Sequence, residues 1–367
     1  MPPSGQAGGI AAAVEGLTAA LRRRAGMETS VFTLEPGQSR RFFFNGHAEE
    51  LAQRVQDFRP DAVHTHGLWV AHSRTGRQLA HRRHLPEIVS PHGMLDAWAL
   101  RHRSWKKKIA WHLGERVHLG SCRVVHALGA AERDSIRGLG VRTPIAMIPN
   151  GVDLPLGRSA VAPPWAEAFG EEAKVLLFLG RLHAKKGLEP LLRAWAAHRA
   201  DYENAGWRLA LVGWDDGGYA AACEALIRDL QISRTCRWFG PVTGELKTAT
   251  LAGCRAFVLP SFSEGLPIAV LEAWSHGKPV FMTAACNLPE GFAAGAAARI
   301  STDPGLLAGE LREGLLGNMA GVRLEAMGTA GGELVRSRFN WEKIATQFEA
   351  LYRWAIAGGE RPAFVAD

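Results

Sequence analysis

Apolar residues in this chain cluster in short uninterrupted blocks, and between many of these blocks they recur every third or fourth position. Short blocks bounded by turn residues read as buried strands, and the wider spacing reads as amphipathic helix. The second half alternates most regularly. Residues 173–182 (AKVLLFLGRL) form a strand that breaks at Gly180, 188–200 a helix, 207–214 a strand and 219–232 a helix. A short strand at 236–242, a helix at 244–254 and strands at 255–261 and 278–283 follow. Such a series predicts parallel β-α-β units with helices on both faces of a sheet.

The first half repeats the theme less cleanly. Residues 8–26 read as a glycine-led helix, followed by strand-like TSVFTL (29–34), DAVHTHGL (61–68), EIVSPHGM (87–94) and CRVVHAL (122–128). MIPNGVD (147–153) reads as a turn, and the Pro-, Gly- and Ala-rich stretch after it as a connector. The predicted division is therefore residues 1–157, a linker at 158–170, a second domain at 171–340 and a tail at 341–367. The tail is amphipathic, with Ile344, Phe348, Leu351, Tyr352 and Ile356 on one stripe. In a doubly wound fold a glycine turn such as Gly8-Gly9 normally follows a strand. MPPSGQA cannot be that strand, so either the start lies upstream of Met1 or the first strand of the N-terminal domain is missing.

Composition adds bounds. With 47% hydrophobic and 22% charged residues over 367 positions, the chain can bury two cores. Its apolar runs fall far short of the ~20 residues of a membrane span, and the N-terminus lacks the apolar core of a signal peptide. The reading is cytoplasmic. Five scattered cysteines without a C-x-x-C fit reduced thiols and give no zinc signature. The net charge of +7 is concentrated between residues 71 and 142, with 14 Lys and Arg against five Asp and Glu, which points to an anionic partner.

The densest chemistry lies in residues 261–280, SFSEGLPIAVLEAWSHGKPV. An apolar strand precedes it, and Pro267 stands where a helix would begin. Glu264 falls in the turn and Glu272 within the helix. Between them the helix N-terminus offers N–H groups and a positive dipole end, suited to phosphate. The loop GRLHAKKG (180–187) adds Arg181 and Lys186 at a strand end, a planar fork and a movable point charge for phosphate. Two acceptors flanking an anion site fit a nucleotide-sugar.

Together GGI, PHGM, IPNGVD, FLGRLHAKKG, LVGWDDGGY, WFGPVTGELK and SEGLPIAVLEAWSHGKPV resemble a family 4, retaining glycosyltransferase of GT-B architecture, in order along nearly the whole chain. The resemblance implies an α/β fold of two Rossmann-like domains facing across a cleft, with the tail helix crossing back to the first. It implies that Arg181 and Lys186 hold the donor diphosphate, Glu272 the ribose and Glu264 the transferred sugar, with the N–H groups of Gly265 and Leu266 close by. It places Gly8 and Gly9 near the diphosphate and His92 near the reacting carbon. The donor is expected to be a UDP- or GDP-sugar, and the cationic side chains to take the role a metal would have, so no metal or cofactor is expected. The PHGML neighbourhood resembles bacterial exopolysaccharide and capsule transferases, which implies a glycan or polyprenyl-diphosphate-linked acceptor.

His64, His66 and His72 invite a metal reading, but no third ligand has matching spacing. They read as a strand end facing ligand, with acceptor contact for His66. The segment from Trp98 to Val117 alternates basic residues with tryptophans. This suits a solvated helix with a buried stripe, or an anionic membrane surface at the inner face of the cell membrane. No nucleic-acid module accompanies the charge. Competing readings are a nucleotide-sugar 2-epimerase of the same architecture and a non-catalytic relative that binds glycan or membrane. GQAGGI does not fit an NAD fingerprint, and the phosphate-binding pair argues against a glycosidase.

Overall fold

The computed structural model describes residues 9–32, 53–96, 111–155, 157 and 159–367. The chain divides into two units, Met1–Gly151 with Trp341–Asp367, and Val152–Asn340.

In the first unit β1 (Val63–His66), β2 (Glu87–Ser90), β3 (Val124–Ala127) and β4 (Ile145–Met147) run parallel in that order. A final strand, Val365–Ala366, pairs antiparallel with β4. Successive strand residues point to opposite faces, and the core divides accordingly. Ile88, Val124 and Ala146 pack with the helix Gly9–Arg22 and the tail helix Trp341–Ala357. Val89, Val125 and Ile145 pack with Leu119, Ile136 and Trp111 on the other side. Of the strand expected at 29–34, the described part, 29–32, is irregular, with Thr29 held by Arg22 at 3.1 Å. The remainder lies outside the described residues. The described residues begin at Gly9 with the helix Gly9–Arg22, and among the described residues β1 forms one edge of its sheet.

The tail helix corrects one expectation. Ile344, Phe348 and Leu351 are buried, but Ile356 is 48% exposed and Ala355 takes its place. The positions 344, 348, 351 and 355 keep the helical period, and 356 is turned off it. Trp354 and Trp341 extend the buried face, Trp354 beneath the Arg123 guanidinium at 4.5 Å.

In the second unit all six strands are parallel: β5 (Lys174–Leu179), β6 (Trp207–Val212), β7 (Cys236–Trp238), β8 (Ala256–Leu259), β9 (Val280–Met282) and β10 (Ala297–Arg299). Their spatial order is β10-β9-β8-β5-β6-β7, the strand order of a dinucleotide-binding Rossmann sheet. All of β5 after Lys174 is buried, as expected of a strand covered on both faces. The stretch expected as a linker, 158–170, packs on the second unit. Trp165 is buried, and the helix Ala166–Phe169 sets Phe169 against Phe239 at 5.2 Å. Aromatic anchoring makes this stretch part of the second unit, whose boundary falls at Val152.

Gly16 supplies a test of the first unit's packing. A Cβ there would stand 2.3 Å from the Trp341 ring. Within an ordinary helix Gly→Ala stabilises by about 1 kcal/mol. Here overpacking, worth about 1–3 kcal/mol, dominates. Gly16→Ala is therefore expected to lower the denaturant midpoint, and a raised midpoint would contradict this packing.

Candidate active site

A doubly wound sheet binds ligands at the carboxyl ends of the two strands where its order reverses, because the flanking connections diverge there. In the second unit those strands are β5 and β8. The chain leaving β5 is the 180–187 loop, and the chain leaving β8 is the turn of residues 260–267. Topology thus joins two segments some eighty residues apart in sequence. Phe262 N–H donates to Lys185 O at 2.9 Å. Gly187, at φ 69°, lies so close to Pro260 that a Cβ would meet its carbonyl oxygen at 2.0 Å.

Lys186 Nζ donates to Glu264 Oε1 at 2.6 Å, and Ser261 Oγ donates to the same oxygen at 2.6 Å. The Glu264 backbone is fixed as well, its N–H on Ala285 O at 2.9 Å and its carbonyl accepting from Asn287 Nδ2 at 2.6 Å. Gly265 is half-buried and Leu266 buried. Pro267 sets the entry to the helix Ile268–Ser275, which no side chain caps. Glu272 lies on that helix and accepts from Lys247 Nζ at 2.5 Å, the lysine coming from the helix Gly244–Gly253. Arg181 pairs with Asp216 at 2.8 Å, and its side chain is 51% exposed. Arg181, Lys186, Glu264 and Glu272 therefore lie on connections at one sheet edge, each of the two acids joined to a cation. Lys247, Asp216 and Ser261 are additions to the site read from sequence. Lys247 and Asp216 end and interrupt the WFGPVTGELK and LVGWDDGGY runs, and their place in those runs was the available signal.

The first unit holds a second polar cluster. His64 and His66 lie on one face of β1 with stacked rings, centroids 4.1 Å apart. His66 Nδ1 meets His92 Nε2 at 2.9 Å. His64 bonds Tyr352 Oη at 2.7 Å and Ser90 Oγ at 2.7 Å, Ser90 bonds His126 Nδ1 at 2.6 Å, and His126 Nε2 donates to Ile148 O at 2.7 Å. Burial, then mutual repulsion, holds His64, His66 and His92 well below the ordinary histidine range, and burial brings His126 down to about 4. His126 was missed from sequence; a histidine inside an apolar strand was its only sign. A different buried histidine carries charge. His118 meets Glu87 at 2.8 Å and Glu115 at 3.4 Å. Burial lowers its pKa, but the two carboxylates outweigh burial and raise it to about 9.

Gly9 is exposed at the start of its helix, and Gly8 lies outside the described residues. So does most of the basic stretch from Trp98 to Val117. In its described part Trp111 is buried near Trp69, ring centroids 6.4 Å apart, and Val117 is exposed. Trp111 is thus a core residue, not one that faces a membrane. Among the described residues no group of three or more His, Cys, Asp or Glu could hold a metal ion, and no helix is long and apolar enough to cross a membrane.

With this geometry in place, comparison with known proteins gives the class. Residues 7–155 match the model of Glycosyltransferase Family 4, and residues 164–316 that of Glycosyl transferases group 1. The chain belongs to these glycosyltransferases, enzymes of GT-B type built from two Rossmann-like units. A D-inositol 3-phosphate glycosyltransferase from Actinosynnema mirum is 26% identical over 96% of this chain and 93% of that protein. The O-antigen chain mannosyltransferase B of Escherichia coli is 28% identical over 48% of this chain and 45% of its own length. Among solved structures, sucrose-phosphate synthase from Thermosynechococcus elongatus superposes with TM-score 0.77 at 20% identity, covering 96% of this chain and 95% of that one. Anabaena HepE in complex with UDP and glucose superposes with TM-score 0.74 at 18% identity, covering 95% and 96%. At such identities the structures attest the fold.

The two histidine groups predict a bell-shaped stability profile for the first unit. The His118 pKa is raised on folding, so its contribution is whole below about pH 6.5 and is lost as pH rises toward 9. The His126 pKa is depressed, so the unfolded chain takes up the proton first, and stability is lost as pH falls from about 6.5 toward 4. Urea midpoints across pH 4–9 should fall on both sides, and His118→Gln should flatten the alkaline side. A flat profile, or an unchanged alkaline limb in that variant, would contradict the assignment.

Proposed function

We propose that the protein transfers a sugar from a UDP- or GDP-sugar to an acceptor hydroxyl with retention of anomeric configuration. The acceptor is a lipid-linked glycan of bacterial surface polysaccharide synthesis. The observation that carries this reading is the meeting of Lys186, after β5, with Glu264, after β8, at the strand-order reversal of the second unit, with Arg181 on the same loop as Lys186.

In this reading Arg181 leaves Asp216 for the donor diphosphate, a light exchange because exposed ion pairs are worth only ~0–1 kcal/mol. Lys186 and the N–H groups of Gly265 and Leu266 add to the anion site, and Glu272 takes the ribose hydroxyls with Lys247 beside it. Glu264 holds the sugar's ring hydroxyls, and His92 meets the sugar near its reacting carbon. The bond from the anomeric carbon to the diphosphate oxygen breaks, and the bond to the acceptor oxygen forms on the same face. The acceptor's proton passes to a departing phosphate oxygen. Fixed cations stabilise the charge developing on the leaving group, and the reaction is metal-free in this scheme. Support for the donor comes from the likeness to Anabaena HepE, which has been solved in complex with UDP-glucose and with UDP. Support for a surface-glycan acceptor comes from the likeness to the O-antigen mannosyltransferase. The basic residues between Trp98 and Val117 supply peripheral contact with anionic lipid at the membrane that carries the acceptor.

Arg181→Ala and Glu272→Ala are each expected to lower transfer about 100-fold or more, while transfer by the unaltered enzyme persists in excess EDTA. Nucleoside diphosphate should be released in step with acceptor added. Near-normal transfer in both variants would overturn the reading. Sugar-nucleotide interconversion without acceptor would replace it with an epimerase, and donor binding without turnover would replace it with a non-catalytic relative.

A further inference from the structure

The polarity of the histidine cluster is determined at one end. A carbonyl oxygen only accepts, so His126 carries its proton on Nε2, where it bonds Ile148 O at 2.7 Å. Its Nδ1 must then accept from the Ser90 hydroxyl at 2.6 Å. Ser90 Oγ in turn accepts from His64 Nε2–H, and His64 Nδ1 accepts from the Tyr352 hydroxyl, both at 2.7 Å. One carbonyl thus sets the tautomers of two neutral rings and the directions of two hydroxyls.

The fixed ring of His64 is the platform on which His66 stacks, 4.1 Å between centroids. The His66 carbonyl accepts from His72 Nε2 at 2.9 Å, and its Nδ1 reaches His92 Nε2 at 2.9 Å. His92 sits at φ 54°, a left-handed conformation uncommon for side-chain-bearing residues and found where surrounding structure enforces it. The enforcing contact is next to it: Gly93 N–H donates to Glu132 Oε1 at 2.5 Å, while Leu128 N–H donates to the other oxygen at 2.8 Å. Glu132 is itself buried.

We infer that His66 is a positioning residue for His92. Its Nδ1 occupies His92 Nε2, selects the tautomer of that ring and leaves Nδ1 of His92 as the nitrogen that meets a sugar hydroxyl. While both rings are neutral, the N···N contact holds one proton, so the tautomer of His92 is coupled to that of His66. This gives His66 a different task from the acceptor contact that its strand-end position implies. The catalytic consequence rests on the proposed contact of His92 with the transferred sugar; the pairing itself does not.

Nitrogen NMR of the ligand-free enzyme labelled with 15N-histidine tests it. Subtracting the spectrum of His92→Gln assigns the His92 signals. The expected result is a through-hydrogen-bond 15N–15N coupling between His66 and His92, with His92 in a single neutral tautomer near pH 7. In His66→Leu the His92 signals should move to an average of two tautomers, and kcat should drop about 10- to 100-fold with little change in donor KM. His66→Asn places an amide where Nδ1 stood and should recover most of that loss. Absence of the coupling in the unaltered enzyme overturns the inference whether or not the variants fold, as do unchanged His92 signals in His66→Leu. Normal turnover by His92→Gln would instead overturn the sugar contact, leaving the pairing to be judged by the coupling alone.

Discussion

Lys186 and Glu264 are joined at 2.6 Å across the point where the strand order of the second unit reverses, and the rest of the candidate site depends on that pair. Their side chains are 15% and 10% exposed. Removing one partner of such a pair strands the other charge, at a cost of ~3–5 kcal/mol. The pairing follows from the sheet. β5 and β8 are hydrogen-bonded neighbours, and the loops that leave them are pinned together through Phe262, Lys185 and Gly187. Ser261 holds the same carboxylate oxygen as Lys186, so Glu264 is oriented by groups from both strand ends. Glu272 and Arg181 stand outside this core of the site. They have more exposed partners in Lys247 and Asp216, which suits groups that exchange partners when an anion arrives.

The first unit is organised differently. Its polar centre is a set of neutral histidines aligned by hydrogen bonds, while a buried ionic group, His118 with Glu87 and Glu115, also takes the Trp69 backbone N–H on Glu115 at 3.1 Å. A ring that must hydrogen-bond without carrying charge is kept so by burial and by a fixed tautomer. The Tyr352 contribution shows why the tail belongs to this unit: the helix Trp341–Ala357 supplies both the apolar cover of the sheet and the first donor of the histidine chain.

Most of the second unit was legible because its strands are buried on both faces and read as continuous apolar runs. The region after β9 was not. The helices Pro304–Leu316 and Ala320–Leu334 are diluted in glycine and alanine, which weakens the periodic signal. Gly314 and Gly331 are there because a Cβ would strike Phe281 at 2.3 Å and Trp274 at 2.4 Å. Close packing erased the pattern that would have announced it. For the candidate site, Arg181, Lys186, Glu264 and Glu272 were singled out because loops after apolar strands mark the ligand edge of a parallel sheet. Their partners Asp216 and Lys247 were not, since pairing across elements needs the sheet order. His92 and His66 were singled out separately, and only the parallel register that sets His66 opposite Ser90 brings them to one place.

In the proposed scheme the β5–β8 edge of the second unit holds the nucleoside diphosphate. Backbone amide shift mapping during titration with UDP and with GDP tests it directly. One of the two is expected to shift residues 180–187, 213–216 and 261–272 saturably and together. Shifts confined to the opposite, amino-terminal ends of these strands, or no saturable shift with either nucleotide, would contradict it.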